Sequence, residues 1–310
     1  MTPLYLDCDT GVDDALALAL LLASPEVELA GVGTVNGNTG ARQAAVNTLA
    51  LLTLAGRTEI PVAVGAANAG AAVPHIHGGN GLGDVRLPHP LQRPTAESAA
   101  DLLIRLSLRH TGRLHVLAVG PLTNLAVALD RDGTLPERVA GVTIMGGAAR
   151  SPGNITAVAE ANIGNDPESA RRVFAAPWEI TLVPLDVTLD NRLEEDDRRR
   201  LAAAPRPLAR TLGLILDHYF DFYMSVYGRR CAALHDPLAA AVVIGCVEPL
   251  LAPRVSVVID DTNGPGRGQT ICDLRGRYLG YPDQPDAHSR VVLSTKEPLA
   301  PILMERLLTL

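Results

Sequence analysis

Short apolar segments alternate with helix-like segments over the first 190 residues of the chain. The apolar segments read PLYLDCD (3–9), VELAGVGTV (27–35), IPVAV (60–64), RLHVLAV (113–119), GVTIM (141–145) and EITLVPL (179–185). Candidate helices lie between them, at 13–23, 39–55, 95–110, 122–130 and 167–176. This alternation is typical of βαβ units, and unbroken apolar strands are expected where helices cover both faces of a sheet. The pattern predicts an α/β fold with a mainly parallel, doubly wound, Rossmann-like sheet.

The pattern changes after residue 190. The stretch LEEDDRRRLAAAPRP (193–207) is expected to be a charged, solvated segment, followed by a helix over 207–224 and a second helix that starts at HDPLAAAVVIG (235–245). Residues 254–294 are expected to form β structure around a glycine-rich turn at 263–268. Since neither a repeat nor a linker interrupts the chain, residues 1–310 are predicted to form a single domain with a C-terminal helical and β elaboration.

Composition narrows the possible partners and compartment. The formal net charge is −7 and no basic patch is interleaved with aromatic residues, which argues against nucleic acid as a partner. Four scattered cysteines have neither a CxxC nor a zinc-site spacing and favour a reducing compartment. The N-terminus does not resemble a signal peptide, and no apolar run reaches the roughly 18 residues of a membrane span. A soluble, cytoplasmic protein without a membrane partner is therefore expected.

Four aspartates within eight positions follow the first predicted strand. Asp7 and Asp9 lie at its carboxyl end, Asp13 and Asp14 begin the next helix, and Gly11 permits the turn between them. Ligands of open α/β sheets bind beyond the carboxyl ends of the strands. Helix capping explains one or two aspartates in this position but not four. Because carboxylate oxygens suit hard cations, the cluster predicts a Ca²⁺ or Mg²⁺ site.

Two classes of metal enzyme and one class of binding protein fit this cluster. A phosphatase of the haloacid dehalogenase type also opens with an apolar strand and Asp-x-Asp, which would make Asp7 the nucleophile and Asp9 the acid and base. That chemistry usually needs a later lysine, and Lys296, the only lysine, falls in the unsuitable segment STKEPLAPILMERLL (294–308). A nucleoside or riboside sensor could keep such a site without any chemistry.

The remaining class is a glycosidase. The segment DCDTGVDDALAL (7–18) resembles the DxDxGxDD signature of the nucleoside hydrolases, the inosine–uridine nucleoside N-ribohydrolases. Further segments match this family in order: TVNGN (34–38), HIHGGNGLGD (75–84), VGPLTNLA (119–126), IMGGAARSPGNITAVAEANIGNDPESA (144–170) and HDPLAAA (235–241). The resemblance covers residues 4 to about 241 and implies hydrolysis of the N-glycosidic bond of ribonucleosides to free nucleobase and ribose, as part of nucleoside catabolism and salvage.

The resemblance also implies a cofactor and a reaction. The ion would be Ca²⁺, held by Asp9, Asp14, the backbone carbonyl of Val119 and Asp236, with water and the ribose 2′- and 3′-hydroxyls completing its coordination. For Asp236 alone, a simple helix cap is the alternative. A metal-activated water would attack C1′ through an oxocarbenium-like transition state, and Asp9 would take its proton.

Further residues would hold the ribose. The resemblance implies ribose contacts for Asp13, Asn38, Met145, Asn154, Glu160 and Asn162. The spacing of Glu160 and Asn162 predicts that both project from one side of an extended segment. Met145 could equally be a core residue at the end of a strand. Asp7 is expected to orient the turn rather than to bind the metal.

The last group of residues would act on the base. His235 is the expected acid for the leaving base because its ordinary pKa is near neutral pH, and His77 would lie on a loop at 65–94 that covers the base. Tyr219 and Tyr223, one helical turn apart, share a helix face and could contact the base or simply pack in the core. Tyrosine at both positions is similar to the broadly specific members, which implies purine and pyrimidine substrates. A homo-oligomer, dimer or tetramer, is also implied.

Overall fold

The computed structural model describes residues 1–67 and 72–310 and has an eight-stranded central sheet within those ranges. The strands are β1 (Thr2–Cys8), β2 (Val27–Thr34), β3 (Val62–Val64), β4 (Leu114–Ala118), β5 (Val139–Met145), β6 (Ile180–Val183), β7 (Arg192–Glu194), β8 (Cys231–Ala233), β9 (Pro249–Leu251), β10 (Arg254–Val255), β11 (Val257–Ile259), β12 (Thr270–Cys272), β13 (Ser289–Val291) and β14 (Ser294–Thr295). The order in the sheet is β10-β13-β6-β5-β4-β1-β2-β3. Every neighbouring pair is parallel except β10 with β13, which confirms the predicted mainly parallel sheet.

Helices connect the strands and cover both faces of the sheet. They are α1 (Val12–Leu22), α2 (Ala41–Leu54), α3 (Pro74–His77), α4 (Ala99–Arg109), α5 (Thr123–Arg131), α6 (Leu135–Arg138), α7 (Ala161–Asn165), α8 (Pro167–Ala175), α9 (Leu185–Thr188), α10 (Glu195–Ala202), α11 (Pro207–Tyr227), α12 (His235–Val243) and α13 (Leu299–Leu307), with a 3₁₀ helix at Arg275–Leu279. None of the helices in the described ranges has the length and apolar character needed to cross a membrane.

Residues of the central strands enter two separate cores. In β1, Leu4 and Leu6 pack with α1, α2, α11, α12 and α13 on one face, whereas Tyr5 packs with α4, α5 and α8 on the other. In β4, Leu117 joins the first core and Val116 the second. Because side chains alternate across a strand, both faces must be apolar to be covered. This explains the unbroken apolar strands and confirms the doubly wound arrangement.

The C-terminal part adds short antiparallel pairs to this frame. Strand β7 pairs with β8, β9 with β14, and β11 with β12, which agrees with the expected helical and β elaboration. One expectation was wrong. The segment at 193–207 is not simply solvated, because its centre forms α10 and Leu201 is fully buried against the first core. Its charges form ion pairs such as Arg198–Glu195, and Arg198 also donates to the Gly213 carbonyl of α11.

Candidate active site

The aspartates after β1 are held together by the turn into α1. Oδ1 of Asp14 accepts the backbone N–H of Asp9 at 3.1 Å, and Oδ2 accepts that of Gly11 at 2.8 Å. Asp14 therefore caps its own helix through the N–H of Gly11 and fixes the preceding turn through the N–H of Asp9. Asp9 and Asp14 are each buried to at least 99%. The turn places both carboxylates in one crevice at the carboxyl edge of the sheet.

Asn38, in the loop after β2, joins this crevice from the neighbouring strand. Its backbone N–H donates to Oδ2 of Asp9 at 2.6 Å, and its side-chain amide donates to Oδ2 of Asp14 at 2.9 Å. Gly37 lies so close to the Asp9 carboxylate that a Cβ would collide with it, and a Cβ at Gly120 would collide with Val35 and press on Asp9. Asn38, predicted to hold ribose, is thus also the residue that orients the two carboxylates.

Asp236 brings a third carboxylate from a distant segment. It stands in the first turn of α12, and oxygens of Asp13, Asp14 and Asp236 all lie within 4.8 Å of one another. This group shares Asp14 and Asp236 with the predicted ligand set and adds Asp13, which was predicted to hold ribose. Within the described residues, Oδ1 of Asp9 and Oδ1 of Asp13 are buried without a hydrogen-bond partner.

The electrostatics of the cluster favour a bound cation. Burial raises the pKa of Asp9 and of Asp236 well above the ordinary carboxyl range, and the neighbouring carboxylates raise both further. Burial and the charge of Asp14 raise the pKa of Asp13 to about 7. Several buried carboxylates with unpartnered oxygens form a hard, all-oxygen donor set. The described residues therefore fit a divalent metal ion, and the chemistry of the donors selects Ca²⁺ or Mg²⁺ over softer metals.

Glu160 and Asn162 approach the cluster from the loop after β5. Glu160 is the N-cap of α7, since its carboxylate accepts the N–H groups of Asn162 and Ile163. The predicted extended segment is thus wrong: the local chain is helical because a buried carboxylate caps it. Both side chains nevertheless lie in the site, and the Asn162 amide donates to the carbonyls of Val119, at 2.9 Å, and Met145, at 3.1 Å.

Two of the other predicted ribose contacts differ in their surroundings. Met145 ends β5, is buried, and has its sulfur 3.4 Å from the side-chain amide of Asn162. Asn154 is exposed, and its side-chain oxygen accepts the N–H of Ala161. The structure thus brings Met145 to the crevice and leaves Asn154 at its outer margin.

A continuous chain of hydroxyl and imidazole groups leads away from Asp13. The Tyr219 hydroxyl donates to Oδ2 of Asp13 at 3.1 Å and lies 3.5 Å from the Tyr223 hydroxyl. The latter is 2.6 Å from Nε2 of His235, and Nδ1 of His235 is 2.7 Å from the Thr188 hydroxyl. Burial lowers the pKa of His235 to about 4, so the ring is neutral at pH 7. The tyrosines predicted to share a helix face therefore link the cluster to His235.

His77 closes the crevice above α1. Its Nδ1 accepts the N–H of Val12 at 3.1 Å and lies 4.0 Å from Oδ1 of Asp13, and its ring centroid is 5.3 Å from that of Tyr219. Burial lowers the pKa of His77 to about 3. His75 is more exposed and contacts the ring of Phe222. Part of the predicted covering loop, residues 68–71, lies outside the described residues.

The sequence reasoning missed two residues that the structure places beneath the site. Asn124, on α5, donates to Asp7 and to the Thr34 carbonyl and accepts the N–H of Ala66. Thr188 contacts His235 from α9. Both are polar residues that follow the carboxyl end of a predicted strand, and this position is the signal that could have identified them.

A crevice of buried carboxylates at the carboxyl edge of a parallel sheet, next to a tyrosine–histidine chain, is an arrangement that suits metal-assisted hydrolysis. Residues 4–299 match the family described as inosine-uridine preferring nucleoside hydrolase, and the chain belongs to that family. It is an N-glycosyl hydrolase of ribonucleosides. Lys296 forms an ion pair with Glu248 instead of entering the site, unlike the lysine that a phosphatase would use.

Known proteins resemble the chain over most of its length. Uridine nucleosidase 1 of Arabidopsis thaliana is 35% identical over 275 residues, which are 87% of this chain and 81% of that protein. A plant nucleoside hydrolase superposes with a TM-score of 0.92 at 28% identity, covering 100% of this chain and 99% of the other. The purine-preferring ribonucleoside hydrolase of Gardnerella vaginalis superposes with a TM-score of 0.88 at 31% identity, covering 99% and 97%.

Proposed function

We propose that the chain hydrolyses both purine and pyrimidine ribonucleosides in a Ca²⁺-dependent reaction. The observation that carries this proposal is the position of Asp13, which lies beside the Asp14 and Asp236 carboxylates on one side and accepts a hydrogen bond from Tyr219 on the other. A ribose bound at the carboxylates would thus have its base beside the tyrosine–histidine chain. The ribose and the base of one nucleoside would thus both bind in this crevice.

The carboxylates would bind the ion and the sugar. Asp9, Asp14, the Val119 carbonyl and Asp236 would hold Ca²⁺, and Asp13 is close enough to Asp14 and Asp236 to share in this role. When bound, Ca²⁺ supplies positive charge that keeps these carboxylates ionised, lowers the pKa of a coordinated water and orients the ribose hydroxyls.

Asp9 is the proposed general base. Its Oδ2 is fixed by Asn38, whereas its buried Oδ1 has no partner among the described residues and is free to accept the proton of the attacking water. Positive charge develops on the ribose as the bond breaks. Glu160 and Asp13 would stabilise this charge, and Asn38, Asn154, Asn162 and Met145 would position the sugar.

The tyrosine–histidine chain would assist the leaving base. Negative charge moves onto the base as C1′–N cleavage proceeds, and His235 with Tyr223 offers hydrogen-bond donors to it. Because His235 is neutral at pH 7, it would act as an N–H donor rather than as a charged imidazolium. His77 would cover the base from the opposite side, near Tyr219.

The tyrosines and the relatives both support activity on purine as well as pyrimidine nucleosides. Two hydroxyls in contact offer donors and acceptors to more than one base. The relatives include proteins named for uridine and for purine nucleosides.

The direct test measures ribose released from inosine, adenosine, guanosine, uridine and cytidine, with Ca²⁺ and with excess EGTA. Release from both classes of base in Ca²⁺, and its loss in EGTA, is the expected result. The Asp9→Asn variant should lose on the order of 10³-fold in kcat, with Asp132→Asn at the surface as the matched control. Undiminished turnover in EGTA would refute the Ca²⁺ assignment, and undiminished turnover by Asp9→Asn would refute the base assignment.

We also propose that residues 1–310 fold as one domain and act in nucleoside catabolism and salvage in the cytoplasm, as a homodimer or homotetramer. The four cysteines are all unpaired thiols, which suits a reducing compartment. Tyr278 and Leu279 are more than 80% exposed and offer apolar area for contact between subunits. Light scattering after size exclusion would measure the subunit number, and a monomer would contradict the assembly.

A further inference from the structure

Among the described residues, the hydroxyl of Thr188 has one hydrogen-bond partner, the imidazole of His235. The residue ends α9, just beyond the carboxyl end of β6, and is fully buried. Its Oγ1 lies 2.7 Å from Nδ1 of His235. No other hydrogen-bond partner of this hydroxyl is found in residues 1–67 and 72–310. The Thr188 hydroxyl therefore bonds to the histidine rather than to a carbonyl of its own helix.

The burial of Thr188 decides which way this hydrogen bond runs. A hydroxyl carries one hydrogen, and a buried donor left without an acceptor is costly. Since Nδ1 of His235 is the acceptor within reach, Thr188 donates and Nδ1 carries no hydrogen. A neutral imidazole then has its single N–H at Nε2. That atom faces the Tyr223 hydroxyl at 2.6 Å, on the side of the carboxylate crevice.

We propose that Thr188 is a positioning residue for departure of the base, because it fixes His235 in the tautomer whose N–H points along Tyr223 into the site. With Nε2–H donated to the Tyr223 oxygen, the Tyr223 hydrogen is available to Tyr219 or to the departing base. Without the Thr188 hydroxyl, the ring can carry its hydrogen on Nδ1 and present a lone pair instead. This inference rests on the proposed nucleoside hydrolysis and adds a residue to it.

The test compares two leaving groups in one protein. Inosine has a base that needs hydrogen bonds or a proton to leave, whereas p-nitrophenyl β-ribofuranoside releases a phenolate that is stable without them. Thr188→Val keeps the shape of the side chain and removes the hydroxyl. We expect kcat/KM for inosine to fall on the order of 100-fold, with a change of less than about threefold for the aryl riboside. Thr188→Ser should restore most of the inosine activity.

Thr143→Val is the matched control. Thr143 is another buried threonine, and it lines a separate cavity with His115 and Arg290. The control should leave the ratio of the two activities unchanged. An equal loss on both substrates with Thr188→Val, unchanged inosine activity, or failure of Thr188→Ser to restore it would overturn the proposal.

The tautomer itself can be observed without relying on turnover. The ¹⁵N spectrum of the wild-type imidazoles, assigned with His235→Gln, should show a protonated Nε2 and an unprotonated Nδ1 for His235. A protonated Nδ1 would overturn the proposal even if nucleosides are hydrolysed. Failure of the proposed function would look different, since wild-type protein would release no ribose from any nucleoside while the spectrum still reported the tautomer.

Discussion

The backbone N–H of Asn38 donates a 2.6 Å hydrogen bond to Oδ2 of Asp9, so the loop after β2 fixes the carboxylate that follows β1. The contact requires Gly37, because a Cβ there would collide with the same carboxylate. Two adjacent strands of the sheet thereby determine the orientation of the proposed general base.

Gly37→Ala should lower kcat by about 100-fold, because the added methyl group displaces Asp9. A misplacement of a reacting group by about 1 Å can reduce the rate by that factor. Gly133→Ala is the matched control, since a Cβ at that position meets no atom within 4 Å. Ribose release from inosine measures both variants. Full activity of Gly37→Ala would show that the orientation of Asp9 does not depend on this loop.

The stability of the metal-free protein should fall as the pH rises. Burial raises the pKa of Asp7, Asp13 and Glu160 to about 7 from ordinary values of 3.8 or 4.5. Between these limits the folded state holds more protons than the unfolded state, so the contribution of each group to the free energy of unfolding falls as the pH rises. The stabilisation from each group is complete at pH values below its pKa in the unfolded state. It is lost as the pH rises through its pKa in the folded state.

Calorimetric unfolding in EGTA at several pH values between 4 and 8 measures this dependence. Saturating Ca²⁺ should weaken or reverse it, since the bound ion favours the ionised carboxylates and stabilises the folded state by mass action. The same pH dependence with and without Ca²⁺ would argue that the cluster binds no such ion.

Tyr223→Phe should slow nucleoside hydrolysis by roughly 100-fold, because it removes the hydroxyl that contacts His235. The ring remains, so the midpoint of thermal unfolding should stay close to that of the wild type. Tyr227→Phe removes a hydroxyl from the next turn of α11, where it contacts the Leu189 carbonyl and Arg192 rather than His235, and serves as the control. Steady-state kinetics on inosine and uridine would show whether the two variants differ as expected.

Asn124→Ala should reduce the free energy of unfolding by about 3 kcal/mol, because it leaves the buried Asp7 carboxylate, the Thr34 carbonyl and the Ala66 N–H without this partner. Urea unfolding measures the change. Asn263→Ala removes an exposed side-chain amide and should cost less than about 0.5 kcal/mol. Equal stability of the two variants would contradict a structural role for Asn124.

Local sequence patterns predicted the central sheet and the helices that cover it. The strand-and-helix alternation and the unbroken apolar strands identified the parallel sheet, because periodicity and burial on both faces are properties of neighbouring residues. The acidic segment after β1 predicted the buried carboxylate cluster for the same reason: Asp9 and Asp14 meet across a single turn. The errors were also local. A buried carboxylate caps α7 at Glu160, and α10 buries one leucine, Leu201, beneath an otherwise charged surface.

The fold class, the acidic cluster and, by resemblance, the family can be predicted from the amino-acid sequence alone. Three contacts could be found only in the folded domain: Asp13 with Asp14 and Asp236, Asn124 with Asp7, and Thr188 with His235. Asp13 and Asp236, like Thr188 and His235, are far apart in the chain, and no local periodicity relates them. They meet because parallel strands end at one edge of the sheet, so the packing of the whole domain selects which polar side chains become neighbours.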